Sequence, residues 1–249
     1  MELRDRVAVV TGGTGGLGWR ICRSLAGAGM KIALVYVSSQ QKAEQYVAEL
    51  KRDGASALAV RADVTGEDGV EAIIEQVEGG FGAIDVLVLN AAFNTMIAFE
   101  DLDSLDAEKW NYILNFNLSA PFLAMRRIGA AMKRRGQGRI ITISSVAGLQ
   151  PSGSSIAYSV SKAGLIQLTR CMAVALAPQV LVNSVAPGLM EGTRMTDNLS
   201  PEFAEKARVS ALLKRAADKD DVADAVLTLV RTESITGQTL VVDSGKVFH

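Results

Sequence analysis

Short apolar runs alternate with longer helix-like segments along almost the whole chain. The apolar runs lie at 6–11, 31–37, 57–62, 84–90, 138–144, 180–186 and 239–243. The helix-like segments lie at 17–29, 40–54, 69–80, 106–135, 155–177 and 219–231. Runs that are apolar throughout, rather than at every second position, are typical of strands buried on both faces of a parallel sheet. The alternation therefore predicts a doubly wound α/β fold.

A single domain is expected to account for the whole chain. No linker, low-complexity tract or fixed-period repeat interrupts the alternation over residues 1–249, and hydrophobic residues make up 49% of the chain. The least regular segment is 187–218, which follows the carboxyl end of a predicted strand, where folds of this class bind ligands. This segment is predicted to be either a substrate lid or a plain connection that contains a helix.

Composition argues against several classes of function. The net charge of −1 gives no reason to expect a nucleic-acid partner, and the basic stretch 132–139 is typical of a solvated helix end. His249 is the only histidine and the last residue, which excludes a Ser-His-Asp triad and a multi-histidine metal site. Cys22 and Cys171 make no disulfide framework and are expected to be buried thiols, because both lie in apolar stretches.

The start of the chain, MELRDRVAVV, has charges where a signal peptide would need an apolar core. No apolar run approaches the ~18 residues of a membrane span. A cytoplasmic protein without membrane association is therefore expected.

A glycine-rich turn, TGGTGGLG at 11–18, joins the first predicted strand to the first predicted helix. Gly12, Gly16 and Gly18 lack a Cβ atom, so the backbone can turn tightly and approach a ligand closely. The following helix presents free N–H groups and the positive end of its dipole, which suit a pyrophosphate. The spacing is Gly-x-x-x-Gly-x-Gly rather than the usual Gly-x-Gly-x-x-Gly. Its place between a strand and a helix still predicts a dinucleotide site.

The end of the second predicted strand indicates which dinucleotide binds. NAD-binding folds often have an acidic residue there for the ribose 2′-hydroxyl. The stretch 35–42, VYVSSQQK, has no acidic residue and no arginine, whereas Ser38, Ser39 and Lys42 could hydrogen-bond a 2′-phosphate. NADP(H) is therefore predicted in preference to NAD(H).

A tyrosine and a lysine four residues apart, Tyr158 and Lys162 in AYSVSKAG, are predicted to share one face of a helix. An unperturbed tyrosine has a pKa near ~10 and exchanges protons poorly at neutral pH. A nearby ammonium favours the phenolate, so Lys162 is expected to lower the pKa of Tyr158. The pair is a candidate general acid/base, although taken alone it is also compatible with a lysine that simply lies in water.

Several motifs together resemble the short-chain dehydrogenase/reductase family. They are the glycine turn, LNAA at 89–92, NFNL at 115–118, a serine thirteen residues before Tyr158, the Tyr-x-x-x-Lys pair, and APG at 186–188. The resemblance runs from RVAVVTGGTGGLG to ITGQTLVVDSG and is closest to 3-oxoacyl-carrier-protein reductases and related carbonyl reductases and alcohol dehydrogenases. It implies a single Rossmann-like doubly wound domain with a seven-stranded parallel sheet flanked by helices.

The resemblance also implies roles for individual residues. Tyr158 matches the catalytic acid/base, Lys162 the residue that lowers its pKa and binds the nicotinamide ribose, and Ser145 the hydroxyl that holds the substrate oxygen. Asn117 matches an asparagine that supports a proton path to the lysine through water. The implied cofactor-binding residues are Gly12, Thr14, Gly15, Gly16, Leu17, Gly18, Ser38, Ser39, Asp63, Val64, Asn90, Ala91, Ala92, Tyr158, Lys162, Pro187, Gly188, Met190 and Thr193.

Alternatives remain open for three of these residues. Ser144 could take the place of Ser145, Asn117 could only cap or bend its helix, and Asp63 could only cap a turn.

The function that the resemblance implies is hydride transfer between NADP(H) or NAD(H) and a carbonyl or secondary alcohol. Met190, Met195, Leu199 and the stretch 93–99 suggest an apolar substrate pocket. The alternatives are a 3-oxoacyl-thioester reductase of fatty-acid synthesis, an NADP(H)-sensing protein without chemistry, and an epimerase or dehydratase of nucleotide sugars. In the family, the long helices corresponding to 106–135 and 155–177 pair between subunits, which implies a homotetramer or, second, a dimer.

The chain departs from the family pattern at four places. Ala92 stands where glycine is usual, and Thr193 lies one residue further along than is common. The stretch 176–183, LAPQVLVN, lacks an arginine often found in carrier-protein reductases, which weakens the case for an acyl-carrier-protein partner. The ending, VVDSGKVFH at 241–249, replaces the frequent Asp-Gly-Gly.

Overall fold

Each of the seven predicted runs forms a strand in the computed structural model of the protein, which describes residues 1–196 and 201–248. The strands are β1 Val7–Val10, β2 Lys31–Tyr36, β3 Ala57–Arg61, β4 Val86–Leu89, β5 Gly138–Ile143, β6 Val180–Pro187 and β7 Thr239–Val242. They form one parallel sheet with the spatial order β3-β2-β1-β4-β5-β6-β7. The order reverses direction between β1 and β4, and such a switch point opens a crevice at the carboxyl ends of the strands. The predicted α/β fold is confirmed.

The predicted helices are also present. They are α1 Gly16–Gly27, α2 Gln40–Arg52, α3 Glu67–Phe81, α4 at 107–135, α5 Ile156–Leu176, α6 Pro201–Ser210 and α7 Lys219–Arg231. The helix α6 lies within the segment 187–218, as the plain-connection alternative required. Leu199, predicted to line the lid, and His249 lie outside the described residues.

The sheet is covered on both faces because alternate side chains of each strand point in opposite directions. Ala8 and Val10 of β1 pack with apolar residues of α1, α2 and α7, whereas Val7 and Val9 pack with those of α3, α4 and α5. Burying each side chain of valine or leucine size stabilises the fold by about 1.5–3 kcal/mol. The double coverage explains why the strands are apolar at every position.

The helix α4 is not uniform, although the sequence predicted one continuous helix. Its α-helical parts Ala107–Leu114, Ala120–Ala124 and Ala130–Arg135 alternate with the π-helical turns Asn115–Ser119 and Met125–Gly129. Pro121 has no N–H group, so the Asn117 carbonyl loses the donor that an α-helix would supply. Turns of this kind often occur at functional sites, and Asn117 lies in the first of them.

The two cysteines differ. Cys22 is buried, and burial raises the pKa of its thiol, whereas Cys171 is exposed. The predicted burial of Cys171 is therefore wrong, because Cys171 lies on the solvent-facing side of α5, although the adjacent Met172 and Ala173 are buried.

The basic stretch 132–139 makes contacts within the fold. Lys133 Nζ donates to the Ala175 carbonyl at 2.7 Å, and Arg135 donates to the Ile84 carbonyl. These cations hold neighbouring elements together at the end of α4. Among the described residues, no helix combines the length and the apolarity needed to cross a membrane.

Candidate active site

A cleft of about 1680 Å³ lies at the carboxyl edge of the sheet, beside the switch point. Its walls come from the glycine turn, the ends of β2, β4, β5 and β6, and the segment 187–218. The lining includes these predicted cofactor-binding residues: Gly12, Thr14, Gly15, Gly16, Leu17, Gly18, Ser38, Ser39, Val64, Asn90, Ala91, Ala92, Tyr158, Lys162, Pro187, Gly188, Met190 and Thr193. The structure thus brings together residues spread over most of the chain.

The glycine turn is tightly folded at the start of α1. Gly12 has φ +63°, a conformation that favours glycine. A Cβ atom added at Gly18 would lie 2.2 Å from the Gly12 carbonyl oxygen, so only glycine fits. The N-cap residue Gly15 has no side chain that could cap the helix, and the first turn of α1 contains no acidic residue. The free N–H groups of this helix start can therefore bind a pyrophosphate.

Thr11, which the sequence analysis did not single out, fixes the turn to β4. Its Oγ1 accepts hydrogen bonds from the N–H groups of Asn90 at 3.0 Å and Ala91 at 3.1 Å. Asn90 Nδ2 donates in return to the carbonyls of Thr11 at 2.9 Å and Gly12 at 3.2 Å. Asn90 lines the cleft as predicted, but its side chain is used to hold the turn. The sequence signal for this role was a residue with a small hydroxyl side chain, Thr11, directly before the glycine turn.

Asp63 caps a turn, which is the second of the two roles proposed for it. Its Oδ1 accepts from the N–H of Thr65 at 3.0 Å and from the Thr65 hydroxyl at 2.7 Å, which caps the turn after β3. The cleft lining includes its neighbours Ala62 and Val64 but not Asp63 itself. Contact between Asp63 and the adenine stays a prediction.

The start of α5 places Tyr158 in the cleft wall. Ser155, which is fully buried, is the N-cap, and its Oγ accepts from the Tyr158 N–H at 3.1 Å. This cap fixes the first helical turn and so the direction of the Tyr158 side chain. Ser155 was also missed in the sequence, although a serine directly before an apolar helix is a cap signal.

Lys162 lies one turn later on the same face of α5, as predicted. Its side chain is buried, and Nζ donates to the Ile143 carbonyl at 2.8 Å and lies 5.7 Å from the centre of the Tyr158 ring. Burial disfavours the ammonium and lowers the pKa of Lys162 from 10.5 to about 7. Lys162 is therefore not the solvated surface lysine that its sequence context alone allowed.

The expected direction of the Tyr158 pKa is wrong for this structure. Burial raises the pKa of Tyr158 from 10.0 to about 12, and the neighbouring Ser145 hydroxyl opposes that change. Removal from water penalises the phenolate more than its surroundings stabilise it. The sequence argument considered the lysine charge but not the desolvation of both groups.

Of the two adjacent serines, Ser145 faces the site. Ser144 is buried, and its Oγ donates to the Val185 carbonyl at 3.1 Å and accepts from Ser184 Oγ at 2.8 Å. Ser145 lines the cleft and interacts with Tyr158, while its Oγ accepts from the Ala147 N–H at 3.1 Å. The geometry favours Ser145 over Ser144 as the hydroxyl available to a substrate.

Asn117 is buried behind the cleft and connects the site to the loop after β4. Its Oδ1 accepts from the Phe93 N–H at 2.8 Å, and its Nδ2 donates to the Phe93 carbonyl at 2.8 Å. Nδ2 also donates to Ser161 Oγ at 3.1 Å, directly beside Lys162 in the chain. Asn117 thus fixes both a substrate-side loop and the helix that carries Tyr158.

The substrate side of the cleft is largely apolar, as predicted from the stretch 93–99. Phe93, Met96, Ile97, Met190 and Met195 all line it. The part of 187–218 that the structure describes closes this side, and one hydrogen bond, from Asn94 Nδ2 to the Met195 carbonyl at 3.3 Å, crosses to it.

The residues present fit a nicotinamide dinucleotide. The uncapped start of α1 suits the pyrophosphate of such a cofactor, and the tight turn at Gly12 lets the backbone approach it closely. The buried lysine beside a tyrosine suits its ribose. Within the described part of the chain, no group of three potential metal ligands is present.

Comparisons with known proteins agree with this geometry. Residues 6–204 match the model of the family described as short chain dehydrogenase. A 3-oxoacyl-[acyl-carrier-protein] reductase from Synechocystis sp. is 36% identical over 251 residues, covering 98% of this chain and 98% of that protein.

Two crystal structures match over nearly the whole chain. A short-chain type dehydrogenase/reductase from Mycobacterium marinum has a TM-score of 0.91 at 29% identity, covering 99% of this chain and 97% of that one. The NADPH-dependent 3-quinuclidinone reductase from Rhodotorula rubra has a TM-score of 0.89 at 28% identity, covering 98% of this chain and 92% of that one.

Proposed function

This chain belongs to the short chain dehydrogenase family and is an NAD(P)-dependent oxidoreductase, and we propose that it transfers a hydride between NADP(H) and a carbonyl or secondary alcohol. The observation that carries this proposal is the meeting of Ser145, Tyr158 and Lys162 in the wall of the cleft that contains the glycine turn. A dinucleotide bound at the turn would extend along the same cleft to these side chains.

The reduction is completed by groups of this chain. The chemistry that a bound reduced nicotinamide cofactor would supply here is a hydride for the carbonyl carbon. Tyr158 donates its hydroxyl proton to the carbonyl oxygen, so a secondary alcohol forms and a phenolate remains on Tyr158. Ser145 stabilises the developing negative charge by donating a hydrogen bond to the same oxygen. In the oxidation direction, the Tyr158 phenolate accepts the proton of the alcohol.

Lys162 is placed to stabilise the phenolate. A phenol with a pKa of about 12 is fully protonated at neutral pH and ready to donate. The ammonium of Lys162, with a pKa of about 7, attracts the negative charge that Tyr158 then carries. The reduction should therefore need Lys162 in its protonated form.

The preference for NADP(H) over NAD(H) is supported by the surface beyond β2. Ser38, Ser39 and Lys42 are exposed and line the cleft, with Lys42 Nζ 5.5 Å from the centre of the Tyr46 ring. Hydroxyl and ammonium groups there suit a 2′-phosphate, and a carboxylate that would repel it is absent from the stretch 35–42. The structurally similar quinuclidinone reductase is described as NADPH-dependent.

We also propose that 187–218 acts as a lid. Lys219 Nζ fixes the beginning of this segment by donating to the carbonyls of Glu191 at 2.8 Å and Gly192 at 3.3 Å. The segment is also held near its other end, where the N–H groups of Leu212 and Leu213 donate to the carbonyls of Gly245 at 3.2 Å and Ser244 at 3.0 Å. Between these anchors, Asn94 Nδ2 donates to the Met195 carbonyl across the cleft at 3.3 Å. A segment held at both ends can open between its anchors for substrate exchange.

A homotetramer is the assembly we propose, with a dimer as the alternative. The helices α4 and α5 expose large apolar side chains, including Tyr112 at 51% and Val174 at 83%. Leu240 of the edge strand β7 and Phe248 are exposed as well. Exposed apolar side chains both on these helices and on the edge strand suit a tetramer with two kinds of interface. The cytoplasmic location expected from the sequence stays a prediction.

A 3-oxoacyl-thioester reductase is the second candidate, favoured by the 36% identical relative of that name. The basic stretch 132–139 gives little support for an acyl-carrier-protein partner, because Lys133 and Arg135 bond to backbone carbonyls within the fold. An NADP(H)-sensing protein would bind the cofactor and turn over no carbonyl compound.

The test replaces Tyr158 with phenylalanine and follows NADPH and NADH oxidation against ketones, β-ketoesters and acyl thioesters. The expected result is a fall in kcat of about 100-fold or more, with NADPH affinity nearly unchanged. The matched control is Tyr112→Phe on the exposed side of α4, which should retain full activity. Turnover by Tyr158→Phe near the parent rate would disprove the proposed proton donor. The substrate panel separates the ketone and thioester candidates, and no turnover at all favours the sensor.

A further inference from the structure

Charge is unevenly distributed around the cleft. The chain as a whole has a net charge of −1. On the lid side, the cleft lining includes the cations Arg194, Lys206, Arg215, Lys219 and Lys246 and the acids Glu100 and Asp243. A concave surface with an excess of one sign raises the local concentration of ligands of the opposite sign. The lid side of the cleft therefore favours anions.

Three nearby carboxylates, those of Asp243, Glu191 and Glu205, are engaged elsewhere. Asp243 is buried, and its two oxygens accept from the N–H groups of Gly245 at 2.9 Å and Val247 at 2.7 Å. The lid acids Glu191 and Glu205 form ion pairs with Arg208, which is not part of the lining.

The unusual ending of the chain fixes the position of Lys246. Ser244 has φ +60°, and its Oγ donates to the Ala216 carbonyl at 3.2 Å. The N–H groups of Leu212 and Leu213 donate to the carbonyls of Gly245 at 3.2 Å and Ser244 at 3.0 Å. The segment DSGK thus lies against the chain that leaves α6, instead of trailing into solvent.

Lys206 and Lys246 meet at Ser210. Lys246 Nζ donates to Ser210 Oγ, and Lys206 lies one turn before Ser210 on the same face of α6. Of the other lid-side cations, Lys219 bonds to backbone carbonyls, and Arg215 lies 3.9 Å from Asp221. Ser210 donates its own hydroxyl proton to the Ala207 carbonyl at 2.9 Å, so Lys206 and Lys246 are the two donors that this group offers at the edge of the pocket.

We propose that Lys206 and Lys246, the latter positioned by Ser210, bind an anionic group of the substrate, a carboxylate or a phosphate, while its apolar body lies among Met190, Met195 and the stretch 93–99. This rests on the proposed function, because it assigns the substrate class of the same site: carbonyl compounds with an apolar chain and a terminal anion. Two lysine–anion contacts at this exposed site should together strengthen binding by about tenfold.

Binding measurements test this without requiring turnover. Hexanoate, hexyl phosphate and uncharged hexanamide are titrated calorimetrically into the enzyme saturated with NADP⁺. The parent should bind at least one of the anions about tenfold more tightly than the amide. Lys206→Met and Lys246→Met should each reduce that preference about threefold, and the double variant should abolish it. The matched control is Lys214→Met, since Lys214 Nζ donates to the Val209 carbonyl and lies outside the lining.

Each outcome decides the proposal. A preference for hexanoate identifies a carboxylate substrate and a preference for hexyl phosphate identifies a phosphate, and both support the subsite. No preference in the parent, including no binding at all, overturns it, as does a preference that survives in the double variant. Weaker NADP⁺ binding in the lysine variants also overturns it, because the lysines would then serve the cofactor.

Two further measurements keep the result clear. Raising the salt concentration should weaken the binding of the anion to the parent but not the binding of the amide. This measurement uses the parent alone, so it does not depend on whether a variant folds. Failure of the proposed function itself would be detected separately, as turnover by Tyr158→Phe near the parent rate.

Discussion

Replacing Lys162 with methionine should stabilise the fold while it removes the activity. Burial lowers the pKa of Lys162 from 10.5 to about 7. At about 1.4 kcal/mol for each pH unit, the buried ammonium costs the folded protein roughly 4–5 kcal/mol below neutral pH. Methionine keeps a similar length without charge, but it leaves the Ile143 carbonyl without its 2.8 Å donor. That loss costs about 1–3 kcal/mol, so the free energy of unfolding should rise by roughly 2 kcal/mol.

The dependence on pH identifies the cause. Because the pKa of Lys162 is lower in the folded state than in the unfolded one, the penalty is fully present below about pH 7. It declines as pH rises from there to 10.5, above which the lysine is neutral in both states. The free energy of unfolding of the methionine variant should therefore exceed that of the parent most at acidic pH, and the difference should narrow as pH rises.

Calorimetric unfolding at matched protomer concentration measures the effect. A gain of roughly 2 kcal/mol should raise Tm by about 4–8 °C in a chain of this size. The control, Lys51→Met, removes an exposed lysine at the end of α2 and should change stability by less than ~0.5 kcal/mol. A variant less stable than the parent at acidic pH, or a gap that stays constant with pH, would refute the desolvation argument.

Three other perturbations test the site. Gly18→Ala places a Cβ atom 2.2 Å from the Gly12 carbonyl oxygen, so NADPH affinity in a fluorescence titration should fall by at least about tenfold. Gly27→Ala on the same helix, where an added Cβ atom meets nothing within 4 Å, should retain it. The kcat of reduction should decline as pH rises through about 7, when Lys162 loses its charge, and a profile flat from about pH 6 to 9 would contradict that role. Ser38→Asp should raise the KM for NADPH at least about tenfold by repulsion of the 2′-phosphate, with a smaller effect on NADH; Ser38→Asn is the uncharged control, and equal effects on both cofactors would argue against this placement.

The sheet could be predicted from sequence because its signal is strong and local. Every strand is covered on both faces, so β1 and its neighbours are apolar at consecutive positions. Helix ends were predictable where a cap is present. Asp218 accepts from the Asp220 N–H at 2.7 Å and starts α7 at Lys219, where the sequence predicted it.

The parts that could not be predicted depend on contacts between distant segments. The π-helical turn at Asn117 lies in a sequence that reads as ordinary helix, although Pro121 is a local hint. Whether Asp63 meets a ligand or Thr65 depends on the conformation of a turn. The role of the ending DSGK depends on the chain that leaves α6, which lies about thirty residues earlier in the sequence.

The pairing of Tyr158 with Lys162 acquires a physical explanation once burial is included. Desolvation favours the neutral form of both groups, which is why the pKa of Tyr158 rises to about 12 and that of Lys162 falls to about 7. A site prepared in this way holds a proton on the phenol until negative charge develops on a substrate oxygen. The same removal of water strengthens the attraction between that charge, the Ser145 hydroxyl and the Lys162 ammonium. The cost of burying Lys162 in the folded protein and the proposed stabilisation of the transition state therefore have one cause, and the methionine variant should remove both together.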